Sequence, residues 1–395
     1  MLSALRRARR PVTTLTEQTA GLLIAGRAFT PGPPGFVGAA VDLPLAAPGL
    51  PDPVVASLVS RPALRHGFLT ARSRRVAVVS GPPSPGLAVC LARMADDLSL
   101  ALPGIASHGV AILGTAASPE PPPGAGIRVG LEAGLDGGGP HGLTRRWTLA
   151  HTLAPVLAAA FANAPDAHWR SVRLAARRDL PMVPAGDPRT AWATYVLDAP
   201  AAVSGPAAAS SPARVSSPPG VNSPPGASSP ARVSGPPVAG GPAAPGPSLR
   251  ALLRDGVRLT TADLDRHLDS LRPPVAARGH LELDVADRQP GDGWRIPVAV
   301  ATTLLDDPQA ALEAEAATAH LAAEPRLWER AARDALTDPA LSAAARDCFI
   351  AAYAALSRQG ADRALRDAVA TFTERYVLRG RTPADDLRDH TTAQA

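Results

Sequence analysis

Polar and apolar residues alternate strictly from His280 to Val285, within a predicted strand at 280–286. The apolar positions are Leu281, Leu283 and Val285, and the polar positions are His280, Glu282 and Asp284. A period of two predicts a β-strand whose apolar side chains point into the core. The polar row has two interpretations, because it either lines an active site or forms the water-facing side of an antiparallel sheet.

Other segments have the patterns of strands, all in the first half of the chain, and of helices in both halves. Further strands are predicted at Gly35–Leu45, Arg75–Val79, Gly109–Leu113 and Gly126–Ala133. Helices are predicted at Thr16–Phe29, Ser84–Leu102, Leu143–Ala162, Thr261–Leu271, Ile296–Leu305, Gln309–Ala323, Leu327–Leu336, Pro339–Ser357 and Ala361–Leu378. Ser84 followed by Pro85 is typical of the first residues of a helix. The C-terminal third is therefore expected to be a helical layer packed on a sheet.

The segment Pro200–Pro247 consists almost entirely of Ser, Pro, Gly, Ala and Val, and SSPARVS occurs in it at 210–216 and again at 228–234. Such a composition buries too little apolar surface to offset the entropy of ordering, which predicts disorder. We interpret the segment as an insertion without function; the alternative is a docking motif. The predicted organisation is a disordered N-terminus (1–15), one domain in two parts (16–199 and 248–387) around the insertion (200–247), and a disordered tail (388–395).

Composition excludes several classes of protein. Of the 395 residues, 40 are basic and all 40 are arginine, but the net charge is only +5. No arginine cluster alternates with aromatic residues, so we expect no nucleic-acid partner. No apolar run reaches the roughly 18 residues that span a bilayer, so we expect no membrane association. Cys90 and Cys348 lie far apart in apolar contexts, which favours buried thiols in a soluble cytoplasmic protein.

Five segments together resemble a known family. They are RPPVAARGHLELDVADRQPGDGW (272–294), RRWTLAHTLAPVLAAAFANAPDAHWRSVR (145–173), DPRTAWATYVLDAP (187–200), LTTADLDRHLDSLRPP (259–274) and RGRTPADDL (379–387). The resemblance is to the ergothioneine-pathway branch of the glutamate–cysteine ligases, which are glutamine-synthetase-like carboxylate–amine ligases. It implies an α+β fold in which a mostly antiparallel sheet forms an active-site funnel and is backed by helices. It also implies ATP and Mg²⁺ as cofactors and glutamate, cysteine and ATP as small-molecule substrates.

The same resemblance assigns the candidate site residues. The metal-binding positions would be Asp42, Glu132 and Glu282, the catalytic positions Glu282 and Asp284, and the positions that bind substrate or phosphate Arg128, Arg170, Arg173 and His267. Mg²⁺ prefers hard oxygen ligands, so the family holds its metals on acidic side chains. This chain departs from that pattern at Ala40, Val78 and Gly130, and it has Asp284 where the family has an arginine.

Two functions follow from these observations. The first is an ATP-dependent glutamate–cysteine ligase that makes γ-glutamylcysteine for a low-molecular-weight thiol such as ergothioneine. The second is a catalytically inactive paralogue that binds a small anion or a protein partner, because each missing carboxylate removes a metal ligand. No competing motif is present: the chain has no phosphate-binding loop of the GxxxxGK[ST] type, no paired-cysteine zinc pattern and no GxSxG.

Overall fold

A computed structural model describes residues 14–46, 49, 51, 54, 64–113, 125–177, 186–201 and 246–394. The chain divides into two compact units, Met1–Gly21 with Val196–Leu271 and Leu22–Tyr195 with Arg272–Ala395. In the first unit, the short helix Leu249–Arg254 is followed by the helix Thr261–Ser270, which begins with a capping box between Thr260 and Asp263. In the second unit, a β-sheet carries the candidate site.

The sheet of the second unit has seven strands in the described residues, and every pairing between them is antiparallel. The strand order is β2–β3–β1–β5–β7–β6, with β4 paired to β1. In chain order the strands are β1 (Phe36–Pro44), β2 (Phe68–Ser73), β3 (Val76–Ser80), β4 (Ser84–Pro85), β5 (Gly126–Leu131), β6 (Val275–Ala277) and β7 (Leu281–Asp287).

One face of the sheet is apolar and buried. Leu281 and Leu283 on β7 are at most 1% exposed, and Val41 on β1 and Val79 on β3 are fully buried. Three helices pack against the sheet: α2 (Leu87–Ala106), α3 (Leu143–Ala160) and α8 (Arg295–Asp306). The predicted α+β fold is thereby confirmed, and β7 is flanked on both sides, by β5 and by β6.

Half of the remaining helices follow the last strand of the sheet, and the others precede β6. They are α1 (Glu17–Ala28), α4 (Val172–Ala175), α5 (Pro188–Asp198), α6 (Leu249–Arg254), α7 (Thr261–Ser270), α9 (Pro308–Thr318), α10 (Leu327–Arg333), α11 (Pro339–Arg358), α12 (Arg363–Arg375) and α13 (Pro383–Gln394). Phe161, Phe349 and Phe372 pack against one another at centroid distances of 5.1–5.7 Å and connect α11 and α12 to the C-terminal end of α3. Among the described helices, none combines the length and the apolar character that crossing a lipid bilayer requires.

The structure corrects some of the predicted boundaries. Helix α2 begins at Leu87, because Ser84 and Pro85 pair with β1 as a strand instead of capping the helix. The predicted strand Gly109–Leu113 is reduced to a single bridge between Ile112 and Leu45. Strands β2 and β6 and helices α4, α5, α6 and α13 were not predicted. The proposed disorder of the segment 200–247 concerns residues that lie almost entirely outside the described ranges.

Candidate functional site

A cleft of about 270 Å³ lies over the polar face of the sheet. Its floor consists of small residues: Gly38, Ala40, Ser80 and Gly130. Charged and titratable side chains border one part of it, namely Arg128, Glu132, His280 and Glu282. Phe36 and Phe68 border it as well and are 48% and 58% exposed. The alternation thus places His280 and Glu282 beside a cleft, whereas Asp284, the third polar residue, is buried and does not line it.

The strand register places the three divergent positions on this polar face. Ala40 pairs with Arg128 on one side and with Ser80 on the other. Val78 lies opposite Asp42, and Gly130 lies opposite Glu282. A Cβ atom added to Gly130 would approach the His280 ring to 3.0 Å, so the imidazole already covers the space above this glycine. Where a metal-binding family member would carry polar ligands, the floor is therefore small or apolar.

Asp42 remains on the cleft face, but basic and backbone donors hold its carboxylate. Its side chain is 3% exposed, and its Oδ2 accepts hydrogen bonds from Arg72 at 2.6 Å and from the Gly126 amide at 2.9 Å. Its Oδ1 has no hydrogen-bond partner among the described residues. Arg128 Nη2 lies 3.8 Å from that Oδ1, beyond hydrogen-bonding distance. Arg128 therefore keeps donor capacity for a ligand in the cleft.

Asp284 is held even more tightly. A register shift between β5 and β7 occurs at this point of the strand, where Val129 pairs with Leu283 and Ile127 with Ala286. Arg173 donates to Oδ1 of Asp284 at 2.7 Å, and Arg177 donates to Oδ2 at 2.6 Å. Burial alone would raise the pKa of Asp284, but the charges of Arg177, Arg173 and Arg128 outweigh it and hold the pKa well below its usual range.

Arg173 also joins β7 to the segment that follows α3. Its Nε donates to Asp287 Oδ1 at 2.7 Å, and the same oxygen accepts from the Ser171 hydroxyl at 3.0 Å. The other oxygen of Asp287 accepts a hydrogen bond from the backbone N–H of Asn163 at 2.8 Å. Neither Arg173 nor Asp287 exposes more than 4% of its side chain. This buried network fixes the floor beneath the cleft, and Arg173 itself is not available as a surface anion ligand.

The two remaining acids of the cleft differ in their surroundings. Glu282 accepts a hydrogen bond from Arg278 Nε at 3.2 Å. The Oε2 atom of Glu132 packs against Gly32. A Cβ atom added to Gly32 would lie only 2.8 Å from this oxygen. Close by, burial lowers the pKa of Arg272, and the charges of Arg278 and Arg128 lower it further. Several guanidinium groups thus lie within electrostatic range of one another beside the cleft.

Two predicted substrate-binding residues lie elsewhere. Arg170 donates to Asp385 Oδ1 at 2.8 Å and to the Arg333 carbonyl at 3.1 Å, and it is not part of the cleft lining. His267 is fully buried in the other compact unit, where Nε2 lies 2.9 Å from the Val196 carbonyl oxygen. Burial lowers the pKa of His267. Of the arginines in the WRSVR segment, only Arg173 contacts the strand that carries Glu282.

Magnesium does not fit the side chains that the structure describes. No group of three or more His, Cys, Asp or Glu residues within the described ranges is arranged to hold a metal ion. The reason is visible in the geometry, because Asp42 and Asp284 are neutralised by arginines and Glu282 is paired with Arg278. Mg²⁺ bound to a nucleotide needs several oxygen ligands at one point. The described acids do not converge in that way.

Sequence reasoning did not identify four residues that define the site: Arg72, Arg177, Arg278 and Asp287. Arg72 and Arg177 each lie in arginine-rich stretches, ARSRR and ARR, where nothing in the local pattern separates an arginine that pairs with a buried acid from one that does not. Asp287 is the last residue of β7 and lies two residues beyond the alternation. A signal was present for Asp287, because an acid at the end of a buried strand requires a partner.

Comparisons with known protein sequences identify the family. The family model described as "Glutamate-cysteine ligase family 2 (GCS2)" matches residues 123–395, more than half of the chain. The glutamate–cysteine ligase EgtA of Mycolicibacterium smegmatis is 42% identical over 145 residues, which are 37% of this chain and 32% of that relative. The enzyme of the same name from Mycobacterium tuberculosis is 39% identical over 144 residues, 36% of this chain and 31% of the relative. The matched stretch thus covers about a third of each relative's length. The predicted membership is confirmed, and the chain belongs to glutamate–cysteine ligase family 2.

Proposed function

We propose that this protein binds a small carboxylate-bearing ligand without a metal ion, and that its formation of γ-glutamylcysteine from glutamate, cysteine and ATP is very slow or absent. Its family and its relatives associate it with glutamate–cysteine ligases, and by that resemblance with the production of a thiol such as ergothioneine. In this role it is a member of the family that has kept the substrate cleft and lost the metal sites.

One observation carries the proposal: arginine side chains already form hydrogen bonds and ion pairs with the two buried aspartates on this face of the sheet. Asp42 and Asp284 accept hydrogen bonds from Arg72, Arg173 and Arg177 at 2.6–2.7 Å. An acid committed to an arginine cannot serve as a ligand of Mg²⁺ without breaking that pair, and breaking a buried pair costs about 3–5 kcal/mol. The family positions at Ala40, Val78 and Gly130 supply no oxygen to compensate.

The same arrangement favours anion binding. Arg128 lines the cleft and lies outside hydrogen-bonding distance of Asp42, so its planar set of donors can engage a carboxylate. The family resemblance implies that related ligases use Mg²⁺ to neutralise the anionic groups of their substrates. In this chain fixed guanidinium groups provide the positive charge at the same face of the sheet.

A working glutamate–cysteine ligase is the second candidate. Membership of the family and the identity to the two mycobacterial ligases favour it, and Glu132 and Glu282 still line the cleft. An assay of dipeptide formation separates the two functions directly.

The proposed binding is tested by isothermal titration calorimetry of the full chain with a panel of L-amino acids, in Mg²⁺ and again in EDTA. We expect at least one member to bind equally well in both buffers. Arg128→Gln should weaken that binding, and Arg189→Gln, which removes an ion pair with the exposed Asp136, should not. Binding that appears only with Mg²⁺, or no binding in the panel, would contradict the proposal.

A further inference from the structure

The loop 161–171 joins α3 to α4 and is closed by bonds between its own residues. A parallel bridge connects Ala164 to Ser171. The backbone N–H of Ala164 donates to the carbonyl oxygen of Arg170 at 3.2 Å, and the N–H of Val172 donates to the carbonyl oxygen of Ala164 at 2.9 Å. Because the two ends of the loop are bonded to each other, a constraint on one residue also restricts its neighbours.

Part of this loop is bonded to the acid at the end of β7. The backbone N–H of Asn163 donates to Asp287 Oδ2 at 2.8 Å, and the Ser171 hydroxyl donates to Asp287 Oδ1 at 3.0 Å. The Ser171 hydroxyl oxygen also accepts a hydrogen bond from the backbone N–H of Leu174 at 3.2 Å, which caps α4. The loop therefore determines where α4 begins and how it is oriented on the sheet.

Helix α4 carries the arginines that neutralise Asp284. Arg173 lies in its single turn, and Arg177 follows two residues after its end. A helix of four residues is far too short to be stable alone. The arrangement that brings Arg173 to 2.7 Å and Arg177 to 2.6 Å from the carboxylate oxygens of Asp284 therefore depends on the contacts that hold the loop.

Arg170 connects the same loop to the C-terminal helix α13. Its Nε donates to Asp385 Oδ1 at 2.8 Å, and neither side chain is more than 16% exposed. The second oxygen of Asp385 accepts from the backbone N–H of Thr382 at 2.8 Å and from its hydroxyl at 3.0 Å. The carboxylate is thus fixed on both oxygens, and it presents a fixed acceptor to Arg170.

Two further bonds join α13 to this region. Arg388 donates to the carbonyl oxygens of Asp166 and Trp169 at 2.8 and 3.3 Å, and the backbone N–H of Ala384 donates to the carbonyl oxygen of Ala162 at 3.1 Å. These donors contact the loop only through its backbone. They fix the position of the loop, whereas the bond from Arg170 fixes the residue that directly precedes the cap of α4.

From these contacts we infer that Arg170 and Asp385 form a positioning pair, through which α13 holds Arg173 and Arg177 on Asp284. Arg170, assigned to substrate or phosphate binding by resemblance, thus acts on the site indirectly, as a positioning residue. The inference goes beyond the proposed binding function, because it concerns how the charge beneath the cleft is set and holds for any ligand.

A double-mutant cycle, measured by urea unfolding of the full chain at pH 7, tests this coupling. It compares Arg170→Gln, Asp284→Asn and the double variant with the native protein. In the Arg170→Gln background the arginines are held less firmly on Asp284, so Asp284→Asn should cost less there. The combined effect on the unfolding equilibrium constant should fall short of the product of the single effects by at least about 3-fold, since uncoupled residues agree within about 2-fold.

Arg363→Gln is the matched control, because Arg363 pairs with the exposed Asp367 on α12. Its effect and that of Asp284→Asn should multiply within about 2-fold. If Asp284→Asn does not fold, Arg177→Gln, which removes one of the two arginines from Asp284, replaces it in both cycles. Effects that multiply within about 2-fold in the Arg170 cycle, or an equal deviation in the Arg363 cycle, would overturn the inference. Either result would leave metal-free binding, which calorimetry in EDTA tests, unaffected.

Discussion

Arg173 Nη1 lies 2.7 Å from Asp284 Oδ1, and neither side chain is more than 4% exposed. The pair is buried beneath the cleft and is completed by Arg177 on the second oxygen of Asp284. The family resemblance implies an arginine at the position of Asp284 on β7. In this chain the position carries an acid, which Arg173 and Arg177, from the segment after α3, neutralise. The charge pattern of the site has been reorganised rather than simply lost.

Asp284 should make the free energy of unfolding depend on pH. The pKa of Asp284 is lowered in the folded protein, so its contribution is fully present above the unfolded pKa of about 3.9 and is lost as the pH falls further. Asp284→Asn removes this contribution and leaves Arg173 and Arg177 undercompensated, at a cost of about 3–5 kcal/mol at pH 7. Urea unfolding at pH 7 and pH 3 measures both effects.

The matched control for this substitution is Asp136→Asn, since Asp136 is 60% exposed and pairs with Arg189 at the surface. That change should alter the free energy of unfolding by less than about 1 kcal/mol. Equal losses for Asp136→Asn and Asp284→Asn at pH 7 would show that the buried ion pair does not stabilise the fold.

Leu283 should be among the most sensitive positions of the sheet. It is fully buried on β7, between Val129 on β5 and Val275 on β6. Leu283→Ala removes buried methyl groups and leaves a cavity, so the free energy of unfolding should fall by roughly 2–5 kcal/mol. Leu312→Ala, at 58% exposure, should change it by less than about 0.5 kcal/mol. A similarly small change for Leu283→Ala would mean that the register of β7 is wrong.

Much of the fold follows from the sequence because its signals are local. Alternation predicts the two faces of β7, and helical periodicity predicts most of the C-terminal layer. The strand β2, with the sequence FLTARS, has no such pattern, and it is stabilised by its partner β3. Ser84 and Pro85 have the chemistry of a helix start, yet pairing with β1 prevails over that local preference.

The site is less predictable for a physical reason. Asp42 and Asp284 look like metal ligands in the sequence, because any acid on a strand of this face is a candidate. Their availability depends on whether a cation lies within about 3 Å, and Arg72, Arg173 and Arg177 reach them from segments distant in the chain. With 40 arginines in the sequence, no pattern distinguishes these three from the others.

The insertion is predicted to be dispensable. Its ends are joined in the structure, because Ala201 donates a backbone hydrogen bond to the Pro247 carbonyl at 2.9 Å and Pro200 bridges to Ser248. Replacing residues 202–245 by a short Gly-Ser turn should therefore leave the thermal midpoint within a few degrees. A substantially larger fall would show that the segment packs on the rest of the protein.

Restoring acids should create a metal site. Val78 lies opposite Asp42, and Ala40 is two residues from Asp42 on the same face, so Ala40→Glu with Val78→Glu brings two new carboxylates beside Oδ1 of Asp42, the oxygen that accepts no hydrogen bond from a described residue. At ten times its dissociation constant, a bound ion stabilises by about 1.4 kcal/mol, which Mg²⁺ titration of the thermal midpoint detects. The native protein and a control with Leu312→Glu and Ile350→Glu, both at exposed positions, should show no such rise. Equal shifts in all three proteins would contradict the account.

The central claim is that this cleft has exchanged metal-dependent ligation for metal-free binding, and the ligase assay tests it most directly. The full chain is incubated with glutamate, cysteine, ATP and Mg²⁺, and phosphate release and γ-glutamylcysteine are followed, the latter by mass spectrometry. The account predicts no dipeptide above a protein-free control. Turnover at about 1–100 s⁻¹, usual for enzymes that transfer phosphoryl groups from ATP, would contradict it.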